Sequence, residues 1–422
     1  MNSAKTLLVL VGLVLVPRSH AQDWPQFRGP TGQGISTDKG VPLNWGPDKN
    51  ITWKVTLPGS GTSSPIVVGD RIFLTCYSGF REPGKPGRMD DLKRHVVCLS
   101  AKDGKQLWEQ TVPSKLPEQD NIREGHGYAT STPVADKDRL YTFFGVSGVV
   151  AFSHDGQELW KASVGTRLNP HGWGSAAPLA LHGDLLLINA SSESDALVAL
   201  DKKTGKEVWR TTGINESWHL PLVVDSMGKP VIVMAATQKV HGINPESGAK
   251  LWTCNTTIPW YMVPSPVAHD GVVYFLGGRS GVTSLAVRLG GSGDVTKSHL
   301  LWKQETGSNV TSPIYHDGHL YWANDQSGLA YCAEAKTGKV LYKERIGRIP
   351  QTYASPIMAE GRIYYTDRGG TTSVVAAQPE FKLLATNELG RRISVNASPA
   401  VSGGRILMRA DNVLYCIGNA DK

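Results

Sequence analysis

A proline-led strand motif recurs eight times along this chain, and a repeat of near-constant length constrains the fold before any single element does. Ser63 to Leu74 (SSPIVVGDRIFL) aligns with Thr311 to Trp322 (TSPIYHDGHLYW) and with Ala354 to Tyr365 (ASPIMAEGRIYY); the same frame returns at Pro133, Pro178, Pro221, Pro266 and Pro399. After a first step of 68 residues, successive prolines stand 43 to 47 residues apart. A second element follows the first: a turn glycine with an aromatic four residues later, as in Gly104 and Trp108 or Gly205 and Trp209, and again at Trp160, Trp252 and Tyr342. Each unit reads as four short strands, A to D, because Val, Ile and Tyr alternate with period two between Gly and Asp turns. A helical array of similar period would need apolar residues spaced three and four apart, and these units lack that spacing.

A lone four-stranded antiparallel sheet exposes its edges and a face, so the copies must stack around an axis. The expected fold is therefore all-β, an eight-bladed β-propeller of four-stranded antiparallel blades. Its ends fit closure: the eighth unit, Ala397 to Gly418, stops after strand C, while Ile51 to Leu57, ahead of the first unit, reads as an unpaired strand D. The N-terminal strand is expected to complete the last blade, and the recurring Trp to pack between neighbouring sheets.

Composition sets the remaining bounds. The chain has 422 residues, 40% apolar and 19% charged, enough for a large core and unlike a disordered chain. The net charge of +7 is spread without a run of five like charges, which argues against a nucleic-acid partner. Residues 1–21 carry Lys5, an apolar run from Thr6 to Val16, and Ser19-His20-Ala21 as a small-x-small cleavage site, so they read as a signal peptide. That run is shorter than the roughly 18 residues a membrane span needs, and no later stretch reaches that length. No Cys follows it, so no lipid anchor is expected. The protein is expected to be exported, periplasmic or extracellular, and monomeric, with an N-terminal arm at 22–50 and the propeller at 51–419. The five cysteines are odd in number and lack CxxC spacing. Cys76 and Cys98, on adjacent strands B and C, are the pair expected to bridge in an oxidising compartment.

Parity places the D-to-A and B-to-C loops on one face of the ring. The two long insertions, Tyr77 to His95 and Val112 to Gly125, both fall there, and decorated loops on a rigid scaffold are where binding concentrates. Counting five residues back from each proline gives Ser60, Tyr128, Trp173, Glu216, Tyr261, Ser308, Gln351 and Ser394, which should ring the mouth of the central channel. The residues expected to hold a ligand or partner are His126, Tyr128, His171, Trp173, Glu216, Trp218, His219, Trp260, Tyr261, Asn309, Gln351, Tyr353 and Asn396. Aromatic walls with a few polar groups suit a small ligand or a peptide segment. Two histidines without a matched carboxylate or cysteine fall short of a metal site, and Glu216 is the one carboxylate in the ring of eight, too few for calcium. No nucleophile elbow, P-loop or dinucleotide fingerprint is present, so no catalytic residue is assigned.

The element Ala199 to Trp209 (ALDKKTGKEVW) resembles the repeat of the pyrroloquinoline-quinone-like (PQQ-like) propellers, a superfamily that holds quinoprotein alcohol dehydrogenases and the assembly lipoprotein BamB. Asp23 to Pro30 (DWPQFRGP), with Gly32 and Gly34, further resembles exported bacterial propellers of the BamB-like kind. The resemblance spans nearly all of residues 51 to 419. It implies a non-catalytic binding or scaffolding module, with cell-envelope protein assembly as a role and an envelope protein as a partner. It also implies an alternative, an oxidoreductase holding PQQ with calcium at the mouth. Quinoprotein dehydrogenases carry vicinal cysteines beneath the cofactor and BamB a lipid-modified Cys; neither feature is present here, and no cofactor is expected.

Overall fold

The computed structural model describes residues 22–419 except 121, 123–125, 280 and 391–392; the signal peptide expected at 1–21 lies outside the described residues. The chain forms an eight-bladed β-propeller of four-stranded antiparallel blades, each running A, B, C, D from the axis outward. Blade one comprises Ile66–Val68, Arg71–Ser78, Lys93–Ser100 and Gln106–Pro113. Blade five comprises Val267–His269, Val272–Gly277, Thr283–Arg288 and Leu300–Gln304. Strands B and C are buried almost end to end, since both faces of each blade meet neighbouring blades. Strand D sits at the rim and is largely half-buried or exposed.

Blade eight takes three strands from the C-terminal end, Ala400–Ser402, Arg405–Ala410 and Val413–Ile417, and its strand D from Ile51–Thr56. Lys54 stands opposite Tyr415 and Val55 opposite Leu414 in an antiparallel ladder. This closes the ring without leaving a free inner edge. One apolar cluster runs across the closure, joining Ile72 and Leu74 of blade one to Ile406 and Leu407 of blade eight.

The recurrent Gly and Trp meet across blade junctions. Gly104 packs on Trp53, Gly156 on Trp108, Gly205 on Trp160, Gly248 on Trp209 and Gly338 on Trp302, each glycine with positive φ and no room for a Cβ. In four of these five pairs the indole N–H donates to a carbonyl of the next blade's turn: Trp108 to His154 O (2.7 Å), Trp160 to Lys202 O (3.1 Å), Trp209 to Pro245 O (2.9 Å) and Trp302 to Ala335 O (2.9 Å). Blade four departs from this scheme because blade five carries an insertion in its C-to-D turn. Gly293–Asp294 from that insertion adds a parallel fifth strand against Trp252 and Thr253.

Hydroxyls bind the blades at the axis. The residue before the strand-A proline accepts a backbone N–H from the preceding blade: Ser64 N to Thr132 Oγ1, Ser265 N to Ser312 Oγ, Ser312 N to Ser355 Oγ and Ser355 N to Ser398 Oγ, all at 2.9–3.0 Å. These buried N–H groups lie where no strand pairs with them, so each would otherwise be left unsatisfied.

The N-terminal arm is part of the core. Trp24 is fully buried and pairs with Val67 of blade one, Ala135 of blade two donates to Pro25 O, and Ala268 of blade five donates to Gln33 Oε1. Arg28 donates to Pro313 O of blade six, and Ile35–Ser36 runs parallel to Met358–Ala359 of blade seven. The arm thus crosses the axis on the A-to-B turn face. Phe27 lines the lower end of an axial cavity of about 100 Å³ walled by the hydroxyls just described.

The expected Cys76–Cys98 bridge is corrected. Cys76 stands opposite His95 and Cys98 opposite Phe73, three register positions apart, so the thiols lie about 10 Å apart along the strands and face opposite sides of the blade. That exceeds disulfide reach. All five cysteines are free and buried, and burial pushes the Cys98 thiol up to about 12.

Candidate functional site

On the face opposite the arm, the D-to-A loops are pinned before they reach the axis. In blades six to eight an Asp directly after strand B binds backbone N–H groups of the preceding loop. Asp325 Oδ1 accepts from Asn309 N (2.7 Å) and Ser308 Oγ (2.9 Å), Asp367 Oδ2 from Arg348 N (2.7 Å) and Ile349 N (3.1 Å), and Asp411 Oδ2 from Ser394 N (3.2 Å). In blade three Asn169 Oδ1 accepts from His171 N at 2.9 Å. The loops into blades four and five pair with each other, Met262 N to Glu216 O and Trp218 N to Met262 O, both at 2.8 Å. They hold Glu216 and Tyr261 at φ of 51° and 72°, a left-handed backbone that costs about 1 kcal/mol each and is kept by these bonds.

These loops deliver His126, Trp173, Tyr261, Gln351 and Tyr353 to the wall of one cavity of about 250 Å³. The rings form a connected set. Trp173 meets His126 edge-on at 6.1 Å and Tyr261 at 5.5 Å, Tyr261 touches Trp218 and Trp260 at 5.6 Å, and Trp260 contacts His171 at 5.3 Å. Trp218 is buried beneath, its indole N–H donating to Gly174 O at 2.9 Å, and it lines the axial cavity together with His126, Tyr353 and Asn396. Glu216 Oε1 lies 3.6 Å from His171 Nε2, and burial raises the carboxyl pKa.

Three of the expected residues do not reach the mouth. His219 is fully buried: Nδ1 faces Leu220 O at 2.8 Å, and Nε2 accepts from Ala235 N at 2.9 Å. Its frame, two before the proline, is a bracing position, since Ser63 binds Thr75 N and O there and Thr311 binds Ala323 O. Burial holds the His219 pKa below the ordinary histidine value, which keeps the ring neutral. Asn309 is buried behind Asp325. Tyr128 turns toward the blade-one insertion, its hydroxyl donating to Gln119 O at 2.6 Å and its ring on Tyr77 and Phe80.

Sequence reasoning missed the contributions of the B-to-C turns. Arg279 stands 4.6 Å over the Trp173 ring and 5.1 Å from Tyr261; Arg368 stands 4.6 Å over Tyr353, with Nε donating to Asn396 Oδ1 at 2.8 Å. Asp325 completes the cavity wall. The recurrence of Asp directly after strand B in three successive blades was the available signal; nothing in the repeat marks the two arginines. Behind the mouth, between blades one and two, Arg94 is buried in an ion pair with Glu118 and donates to Ser114 and Ser147 hydroxyls, which anchors the long D-to-A insertion. Nearby Glu193, also buried, accepts from Ser175 Oγ; desolvation raises its pKa to about 7.

The donors do not fit a calcium-bound quinone. Calcium takes six to eight oxygens, mostly from carboxylates. Glu216 meets His171 through Oε1 and keeps only a buried Oε2 without a partner among the described residues, and one Asp325 oxygen is taken by Ser308 and Asn309, so the mouth offers far fewer than six carboxylate oxygens. Among the described residues no three His, Cys, Asp or Glu side chains gather to hold a metal, and the cysteines lie inside the blades.

Residues 145–295 and 294–411 match the family model described as outer membrane protein assembly factor BamB. Among solved structures, BamB from Moraxella catarrhalis superposes with a TM-score of 0.60 at 14% identity, covering 86% of this chain and 95% of that one. The computationally designed Ika8 protein gives 0.61 at 14% identity over 87% and 99%. Quinohemoprotein alcohol dehydrogenase from Comamonas testosteroni gives 0.52 at 13% over 95% and 81%. At these identities the likeness is one of fold. A polyvinylalcohol dehydrogenase from a Pseudomonas species is 23% identical over 201 residues, 43% of this chain and 27% of the relative's length. Among the described residues, no helix is long and apolar enough to cross a membrane.

Proposed function

Since the chain belongs to the family described as outer membrane protein assembly factor BamB, we propose that it is an exported, non-catalytic binding and scaffolding propeller. It holds a small ligand or a segment of an envelope protein at the mouth opposite the arm. The observation that carries this reading is an asymmetry between the two ends of the axis. One end is closed by a buried arm that bonds to six blades, while the other opens into a 250 Å³ cavity walled by aromatic rings, the Arg279 guanidinium and the Asp325 carboxylate. A preformed concave site on a rigid ring binds without paying to order its own loops. The test is a ligand screen by thermal shift on the purified chain and on Trp173→Ala. Ligands that raise the wild-type melting temperature should lose that effect in the variant; ligands that stabilise both equally would place binding elsewhere.

A second reading, a quinoprotein-like oxidoreductase, is favoured by the match to polyvinylalcohol dehydrogenase and by the likeness to a quinohemoprotein. The donor set of the mouth weighs against it. Adding PQQ with Ca²⁺ and following dye reduction by alcohols separates the two: turnover would replace the binding-module reading.

A further inference from the structure

We propose that the ligand taken at this mouth is an acidic sugar, a pyranose ring bearing a carboxylate. The proposal rests on the reading of the mouth as a ligand site and adds its chemical class.

The first support is charge. Other arginines on this side of the ring are neutralised, Arg94 by Glu118, Arg167 by Asp195 and Arg348 by Glu388. Arg279 and Arg368 instead lie over the rings of Trp173, Tyr261 and Tyr353, and among the described residues neither has a carboxylate in ion-pair range. A guanidinium stacked on an aromatic ring is held in plane while its edge N–H donors stay available. That edge matches a carboxylate in a two-point, charge-assisted contact. Arg279 lines the cavity, and Arg368, its Nε spent on Asn396, stands behind the Tyr353 wall; they face one wall carboxylate, Asp325, whose Oδ1 is already taken by Ser308 and Asn309. On a chain of net charge +7 this balance favours an anion over a neutral ligand.

The second support is shape and wall chemistry. A cavity of about 250 Å³ lies just below the usual range for drug-sized ligands, about 300 Å³ and up, and suits one or two rings rather than an extended chain. Its aromatic side chains offer faces and edges for the C–H surface of a sugar ring, and the Gln351 amide offers both a donor and an acceptor to ring hydroxyls. Arginine takes the carboxylate. A neutral sugar would use the rings and the amide but leave the Arg279 guanidinium without a carboxylate.

The experiment is calorimetric titration of the full chain with digalacturonate and with its methyl ester, which keeps the rings and removes the charge; glucuronate and mannuronate disaccharides extend the series. The acid should bind at least about tenfold more tightly than the ester, and added salt should weaken only the acid. Arg279→Gln should lose about tenfold in affinity for the acid with the ester unaffected, and Arg279→Lys should fall between, because a point charge lacks the planar fork. Unchanged melting temperatures establish that the variants are folded. Equal affinities for acid and ester, an Arg279→Gln variant that binds like the wild type, or no binding by any of the three acidic series overturns the proposal. If the ester binds as well as the acid and Trp173→Ala abolishes both, the mouth stands as a site and its preference for acids falls. If acid binding survives Trp173→Ala and both arginine variants, the mouth itself is not the site.

Discussion

Where Trp160 of blade two meets Gly205 of blade three, and where Trp173 meets Tyr261 at the mouth, aromatic rings do two different jobs. The first contact belongs to a series in which the same glycine and the same indole meet at five of the eight junctions. There the ring is a spacer, its face covered by the glycine turn and, at four of the five, its N–H spent on a carbonyl of the next blade. The second has no counterpart in other blades, and its ring lies beneath an arginine and beside a cavity. Repeated contacts hold the ring of blades together, whereas contacts made once, on loops that the ring holds still, are available for recognition.

The sharpest way to break this contrast is at the belt. Gly205→Val puts a Cβ 2.5 Å from the Trp160 ring at a φ of +72°. Strain of about 1–2 kcal/mol for the left-handed backbone and about 1–3 for overpacking should together lower stability by about 2–5 kcal/mol. Urea denaturation measures it, and a loss below about 1 kcal/mol would show that the junction is soft. Glu193, behind the mouth, comes next. Its folded carboxyl keeps a proton up to about pH 7, whereas an unfolded one releases it near 4.5. Between those values the folded state binds more protons, so stability falls as pH rises through this window, by at most about 3 kcal/mol from this group. Glu193→Gln should flatten the melting-temperature profile between pH 5 and 8 relative to wild type; parallel profiles would mean that Glu193 is already ionised at pH 5.

At the axis, Ser355→Ala removes the acceptor of Ser312 N and should cost about 1–3 kcal/mol for a buried N–H left unsatisfied. A neutral result would mean that water reaches the channel wall. The smallest effect on stability is expected at Trp173, which is only half-buried. Trp173→Ala should change stability by less than about 1 kcal/mol while abolishing ligand binding, and a larger loss of stability would make this ring a structural plug.

Some of this was legible because it repeats. The eight prolines, the Gly and aromatic spacing and the orphan strand at Ile51 each stand in a common frame, and an all-β ring closed by the N-terminus follows from them. His219 looked like a mouth residue by distance along the chain, but its frame coincides with the bracing position of Ser63 and Thr311, so its ring turns inward to Ala235. Cys76 and Cys98 sit on neighbouring strands, yet a shift of three in register puts them on opposite faces, and register is set by the whole ladder.

The sequence by itself determined the number of blades, their four-strand plan and the manner of closure, because local alternation and turn residues leave a repeated unit few other ways to bury its faces. Only the tertiary structure decided that the arm crosses the axis, that each glycine seats the preceding blade's indole, and that Arg279 and Arg368 stand over aromatic rings at one mouth. Apart from Arg368 and Tyr353, which share blade seven, those pairings join residues from different blades or from opposite ends of the chain, and their partners are chosen by how the blades fan around the axis rather than by anything within a single unit.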